Sequence, residues 1–294
     1  MIIITTPTGA IGHQVLEHVL RGEEPIRVIA RDPSGLPSQL RERLDIVRGS
    51  HGETTVVNKA FAGADSVFWV VPPDPRAQTV DAAYLDFTRP ACAAFKSQGI
   101  KRVVGISALG RGTPAAAHAG LVTASLKMDD LIGSTGVHYR AMTNPSFMDN
   151  LLRQVELIKN QGMFSLPISG DLKQPSSCTR DIAATAAKLL LDQTWSGVGS
   201  VPVLGPEDLS YNDMATIMSE VFDKRVRFQE VPGEDFKARL LERGMSEAMA
   251  QANLDMWVAY GQGLDTAEPR TPESTTPTSF RQWCVEELKP RVMA

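Results

Sequence analysis

Ile2-Ile3-Ile4-Thr5-Thr6-Pro7-Thr8-Gly9-Ala10-Ile11-Gly12 opens the chain, and the fold is decided by how this stretch is read. A β-branched run with no polar alternation predicts a strand buried on both faces. A GxxG turn follows and leads into a helical pattern. Gly9 would let the backbone approach a pyrophosphate, and Gly12 would let the helix pack closely on the strand. Free N–H groups at the helix start, from Thr8 through Ala10, Ile11 and Gly12, would bind phosphates. The pattern is GxxGxxG with Thr6 in place of its leading glycine. A tight turn with a purely structural purpose is the competing reading. Context favours the phosphate loop, because the second strand, Arg27-Val28-Ile29-Ala30, ends about 20 residues beyond Gly12.

Working outward, further short apolar runs occur at Asp45-Ile46-Val47, Ser66 to Val71, Arg102 to Ile106 and Val137 to Arg140. Helical stretches separate them. Ala77 to Ser97, for example, carries Val80, Ala83, Tyr84 and Phe87 at helical spacing. Alternating β and α at this density predicts an α/β fold, a Rossmann-like doubly wound parallel sheet. The second half reads differently. Leu166 to Ser177 is a loop rich in Gly, Pro and Ser, and a helix runs from about Thr179 to Asp192 with Asp181 in its first turn. Ser210 and Asp213 resemble a capping box, Val226 to Gln229 is a short strand, and Gly233–Arg243 and Ser246–Tyr260 are helical. Thr266 to Thr278, with three prolines, is an extended loop before a last helix around Phe280 to Leu288. These features divide the chain into a nucleotide-binding domain over 1–150 and a smaller α/β substrate lobe over 151–294. Parts of 175–205 are expected to return to the first domain.

Composition narrows the function classes. With 43 % hydrophobic and 22 % charged residues over 294 positions, a large core is available. Thirty Lys plus Arg against 34 Asp plus Glu give a net charge of −4, so no nucleic-acid partner is expected. No apolar run approaches the roughly 20 residues that span a bilayer. Met1 to Thr5 has four consecutive apolar residues and no basic flank, so no secretory leader is expected, and a cytoplasmic protein is. Cys92, Cys178 and Cys284 are too dispersed for a disulfide framework or a CxxC metal site. His13 and His18 lack acidic or Cys neighbours at metal spacing, and no metal is expected. A homodimer stays open.

Where the second strand ends, an NAD site usually offers a carboxylate to the ribose. This chain offers Arg31, which can pair with a 2′-phosphate through two charge-assisted bonds. NADP(H) is the expected cofactor, and Asp32 one residue later keeps NAD(H) open.

The Thr6-to-Gly12 loop, Ala30-Arg31-Asp32-Pro33 and Trp69 to Pro73 together resemble the NmrA-like group of atypical short-chain dehydrogenases. So do Ile106-Ser107-Ala108, Lys127, the run Asn144 to Asn150, and Phe228 to Pro232 with Asp235-Phe236. Within that group the chain is most similar to NAD(P)H:quinone oxidoreductases and triphenylmethane reductases. The resemblance implies that Thr6 and Thr8 to Gly12 hold the pyrophosphate and Arg31 the 2′-phosphate. Pro72 and Pro73 line the path to the nicotinamide. Ser107 and Lys127 sit near the ribose and nicotinamide, with Lys127 positioning the cofactor. Phe147 flanks nicotinamide or substrate, and Asn144 lies on the substrate side. The chain departs from the group at Thr6 and at Gly49-Ser50-His51-Gly52, where an acidic residue near the adenine is usual.

Ordinary short-chain dehydrogenases pair a general-acid tyrosine with a lysine four residues later. Here Lys127 is preceded at that spacing by Thr123, and Tyr84, Tyr139, Tyr211 and Tyr260 all lie elsewhere. An aliphatic hydroxyl is too weak an acid to replace a phenol, so reduction of simple ketones is disfavoured. A quinone avoids the difficulty, because hydride addition gives a delocalised anion that water can protonate. The expectation is an NADPH-dependent reductase of a conjugated small molecule. The alternative is a non-catalytic NADP(H) sensor acting through a protein partner. On the substrate side, His118 is a candidate proton donor, and Phe147, Met148, Trp257 and Tyr260 are candidates for an apolar wall. Core packing accounts for the latter four equally well.

Overall fold

The computed structural model describes residues 1–294. In chain order the elements are β1 (Ile2–Thr5), α1 (Ala10–Val19), β2 (Ile26–Ala30), α2 (Ser38–Arg41), β3 (Asp45–Arg48), α3 (Thr54–Phe61), β4 (Ser66–Trp69), α4 (Phe87–Ser97), β5 (Arg102–Ala108), α5 (Leu121–Gly133) and β6 (His138–Asn144). There follow β7 (Ser146–Phe147), α6 (Val155–Gln161), β8 (Met163–Leu166), β9 (Gln174–Ser177), α7 (Thr179–Leu191), β10 (Val198–Pro202), β11 (Asp208–Leu209), α8 (Tyr211–Phe222), β12 (Arg227–Glu230), α9 (Gly233–Glu242), α10 (Glu247–Gly261), α11 (Phe280–Trp283) and α12 (Lys289–Met293). No helix is long and apolar enough to cross a membrane.

Two compact units result. Unit 1 comprises residues 1–108, 124–143 and 182–201; unit 2 comprises 109–123, 144–181 and 202–294. Unit 1 holds a seven-stranded sheet in the order β10-β6-β5-β4-β1-β2-β3, and the pairs from β3 through β5 are parallel. β1 and β4 are buried at every position, as expected of the apolar runs Ile2–Ile4 and Val67–Trp69, and Thr5 and Ser66 are buried with them. This is the doubly wound architecture expected from the sequence. The chain leaves β1 toward β2 and β3 on one side, and β4, β5 and β6 lie on the other. The C-terminal end of β1 is therefore a topological switch point, where such sheets open a crevice.

Before α4, the segment Ala82–Asp86 forms a widened, π-helical turn. Pro90 lies inside α4, where its ring would collide with the Asp86 carbonyl of a regular helix. The widened turn contains Asp86, the residue whose carbonyl the ring would meet.

Unit 2 contains a three-stranded sheet, β11-β9-β7, and a two-stranded parallel sheet, β12-β8. β9 corrects the reading of Leu166–Ser177 as wholly loop, and β8, which ends at Leu166, went unread. Gln174–Ser177 has no apolar side chain to announce a strand, yet every residue of it is buried against β11 and β7. β10 also went unread. Two carboxylates brace the unit: Asp149 accepts from Thr179 N and Oγ1 at 2.9 and 2.8 Å, and Asp181 accepts from Thr278 N and Oγ1 at the same distances. The Ser210–Asp213 capping box is present on α8. The three cysteines are buried thiols.

Candidate functional site

In unit 1 the ends of β1, β2, β3 and β4 surround a cavity of about 1100 Å³. Thr6, Pro7, Thr8 and Gly9 form one wall, Ala30-Arg31-Asp32 another, and Gly49 to His51 and Pro72 to Pro75 complete it. Thr5 fixes the mouth. Its Oγ1 donates to Phe68 O (2.8 Å) and accepts from Val70 N (3.0 Å), which ties the end of β1 to the end of β4. Gly9 caps α1, and no side-chain oxygen occupies the first-turn N–H groups. Gly12 is needed for packing: a Cβ there would lie 2.1 Å from Thr6 O.

Thr6 takes φ +50°. A β-branched residue rarely adopts this left-handed conformation, so the chain keeps the backbone of the missing glycine and bears its strain. Thr6→Gly is expected to raise stability by about 1 kcal/mol in urea unfolding by removing that strain. A loss of stability would show that the Thr6 side chain compensates for its backbone.

At the end of β2 the two candidate cofactor-selecting residues differ in their commitments. The Asp32 carboxylate accepts from Ser34 N (2.9 Å) and Ser34 Oγ (2.8 Å), capping the turn Pro33–Gly35, and these bonds hold its carboxyl below the usual range. Arg31 is exposed and makes no ion pair. Where an acidic residue is usual near the adenine, His51 stands as a neutral wall. Burial lowers its pKa to about 4, against the opposing effect of its hydrogen bond to Val70. With the ring neutral, Nε2–H donates to Val70 O at 2.8 Å. Trp69 and Phe87 meet the ring edge-on at 5.0 and 4.8 Å.

Ser107 and Lys127 are not among the residues lining this cavity. Ser107, buried on β5, donates to Asp129 Oδ2 at 2.5 Å, and Tyr139 OH donates to Asp129 Oδ1 at 2.6 Å. Gly105 makes room for the network, since a Cβ there would lie 2.4 Å from the Tyr139 hydroxyl. Sequence reading missed Asp129 and Tyr139, because charged neighbours (Lys127 and Asp130; His138 and Arg140) make both read as surface positions. Lys127 Nζ lies 3.3 Å from Asp81 Oδ1 in an exposed ion pair. The Thr123 hydroxyl is spent on its own loop, donating to Ala116 O (2.8 Å) and accepting from Ala119 N (2.9 Å).

Unit 2 has its own pocket, of about 660 Å³. Phe147 and Met148 line it beside Trp257, whereas Tyr260, His118 and Asn144 do not. His118 ends the turn Pro114–His118, and Asn144 ends β6. Tyr211 was missed by sequence reading. It lines the pocket, stacks on Phe228 (5.1 Å, 20°), and hydrogen-bonds the Ser146 side chain; burial pushes its phenol above the usual range. Arg153, Arg239 and Arg243 also line it. Behind Ser146, the backbone N–H of that residue hydrogen-bonds the buried Asp265 carboxyl, whose Oδ1 has no partner.

The chain is 26 % identical over 98 % of its length, and 98 % of the relative's, to (4-alkanoyl-5-oxo-2,5-dihydrofuran-3-yl)methyl phosphate reductase of Streptomyces griseus. Among solved structures it resembles an NADPH-dependent quinone oxidoreductase from Escherichia coli complexed with NADPH (22 % identity, 90 % of each chain, TM-score 0.74). It also resembles the Citrobacter sp. triphenylmethane reductase complexed with NADP(H) (20 % identity, 98 % and 100 % of the two chains, TM-score 0.77). These likenesses extend the fold over nearly the whole chain. The profile of the NmrA-like family matches residues 1–273, and the chain belongs to that family.

Proposed function

We propose that the protein is an NADP(H)-dependent oxidoreductase that reduces a quinone or another conjugated small molecule. The observation that carries this reading is the crevice at the switch point, where Arg31 is uncommitted and Asp32 is already engaged by Ser34. The residues fit a dinucleotide. Thr8, Ala10, Ile11 and Gly12 offer backbone N–H groups to a pyrophosphate, the Gly9 N–H being already given to Thr6 O at 2.9 Å, and Arg31 offers a fork to a 2′-phosphate. Pro72 and Pro73 lie along the route from the loop, and His51 with Phe87 gives an apolar, uncharged wall. When bound, NADPH supplies a hydride. Phe147, Tyr211 and Trp257 give a flat acceptor an aromatic wall in the unit 2 pocket. In this reading Ser107, held by Asp129, and Lys127, released from its exposed pair with Asp81, serve the nicotinamide end of the cofactor. The relatives named above as reductases and as complexes with NADPH or NADP(H) support the same chemistry.

The missing phenol at Thr123 favours a second reading, a regulator that binds NADP(H) without turnover. NADPH consumption with a panel of quinones and conjugated carbonyls separates the two. Turnover with a quinone and none with simple ketones supports the reductase; no consumption with any acceptor leaves the regulator.

Arg31→Ala is expected to weaken NADPH binding about 10- to 100-fold while changing NADH by about twofold or less, since only the former loses a charge-assisted partner. Equal losses in a parallel titration of both cofactors would remove Arg31 from the 2′-phosphate site.

A further inference from the structure

We propose that the unit 2 pocket takes a conjugated small molecule bearing an anionic group, a sulfonate, carboxylate or phosphate, recognised by Arg153, Arg239 and Arg243. The conjugated part of this ligand rests on the reductase reading; its charge rests on the pocket alone.

The pocket is largely apolar where Phe147, Met148, Met214 and Trp257 line it, and its size suits one small molecule. Three arginines stand around the same space, and one carboxylate, Glu156, stands with them. Three positive charges against one negative leave this pocket cationic in a chain of net charge −4.

A solvated arginine is ordinarily unremarkable. Four other arginines of the unit are held in ion pairs. Arg180 pairs with Glu286 at 2.7 Å, Arg291 with Glu287 at 2.9 Å, Arg270 with Asp208 and Arg281 with Glu220. Arg153, Arg239 and Arg243 have no such partner, although Glu156 lines the same pocket and accepts a hydrogen bond from Asn160 at 3.1 Å. Arg239 and Arg243 are four residues apart, at the end of α9 and its C-cap, so both side chains serve one face. A guanidinium presents paired donors to a planar or tetrahedral oxyanion, which a scatter of lysines would not do. An apolar body with one anionic end satisfies both halves of this lining; a neutral ligand leaves the guanidinium groups unused.

The test is equilibrium binding of two naphthoquinones that differ at one position, 1,4-naphthoquinone-2-sulfonate and 2-methyl-1,4-naphthoquinone. It is run on the full chain with and without NADP+, so that no turnover occurs. The sulfonate is expected to bind about tenfold more tightly, with a preference that shrinks as salt is raised. In the Arg239→Gln, Arg243→Gln double variant, both substitutions being at exposed positions, the ratio of the two affinities should fall to near one. Equal binding of the two ligands by the wild type, a preference that survives in the double variant, or no binding of either ligand would overturn the proposal. Arginine-dependent sulfonate binding, with no NADPH consumption on any acceptor of the panel, would sink the reductase reading alone. Turnover of the methyl compound without charge preference would sink this inference alone.

Discussion

Gly12→Ala should destabilise the protein by about 3 kcal/mol or more, and Gly12→Val should prevent stable folding. A Cβ at Gly12 meets three backbone atoms, Thr6 O at 2.1 Å, Thr6 C at 2.8 Å and Thr5 O at 3.0 Å. No side chain can rotate away to relieve these contacts, so α1 must lift from β1. That movement opens the β1–α1 packing built on Ile3, Ile4, Val15 and Leu16, all fully buried. Gly9→Ala is the internal control. Its Cβ meets Thr6 O at 3.4 Å, an ordinary contact, and Gly9 has φ −83°. It should cost about 1 kcal/mol or less in stability. Its effect on cofactor affinity therefore reports on the loop rather than on folding. Urea unfolding of the two variants checks the pair. A Gly12→Ala protein as stable as wild type would show that the strand–helix contact is looser than the structure has it.

The second large effect concerns Asp265. Its carboxyl is 2 % exposed, and burial pushes its pKa to about 8, against the opposing effect of the Ser146 N–H bond. The folded pKa thus lies above the unfolded value of 3.8. The folded state holds a proton that the unfolded state releases, so stability falls as pH rises from about 4 through about 8. Asp265→Asn keeps the shape and cannot ionise. It should flatten this slope and be more stable than wild type at pH 8, by on the order of 2–5 kcal/mol. Parallel pH profiles of the urea midpoint in the two proteins would show that Asp265 is solvated in the native state.

Unit 1 was legible because its signals are local. Ile2–Ile4 and Ser66–Val71 are continuous apolar runs, and such runs fit few structures other than a covered parallel strand. Arg31 follows its strand directly, so its place at the crevice could be read from position. The rest depends on contacts between distant residues. Gln174–Ser177 forms a strand only because β7 and β11 accept it. Asp129 reads as a surface residue of a helix until Ser107 and Tyr139, 22 and 10 residues away, are brought onto it. The basic lining of the unit 2 pocket joins Arg153 to Arg239 and Arg243 across some ninety positions, and no window of sequence contains all three. Lys127 could be singled out from its position in the sequence, whereas its pairing with Asp81, 46 residues away, could not.

Binding of the reduced cofactors to the purified chain tests the central claim most directly. Titration with NADPH and with NADH should give a micromolar dissociation constant for NADPH, with NADH weaker by about tenfold or more. If neither binds below about 1 mM, roughly −4 kcal/mol, the crevice at the end of β1 is not a dinucleotide site and the account fails.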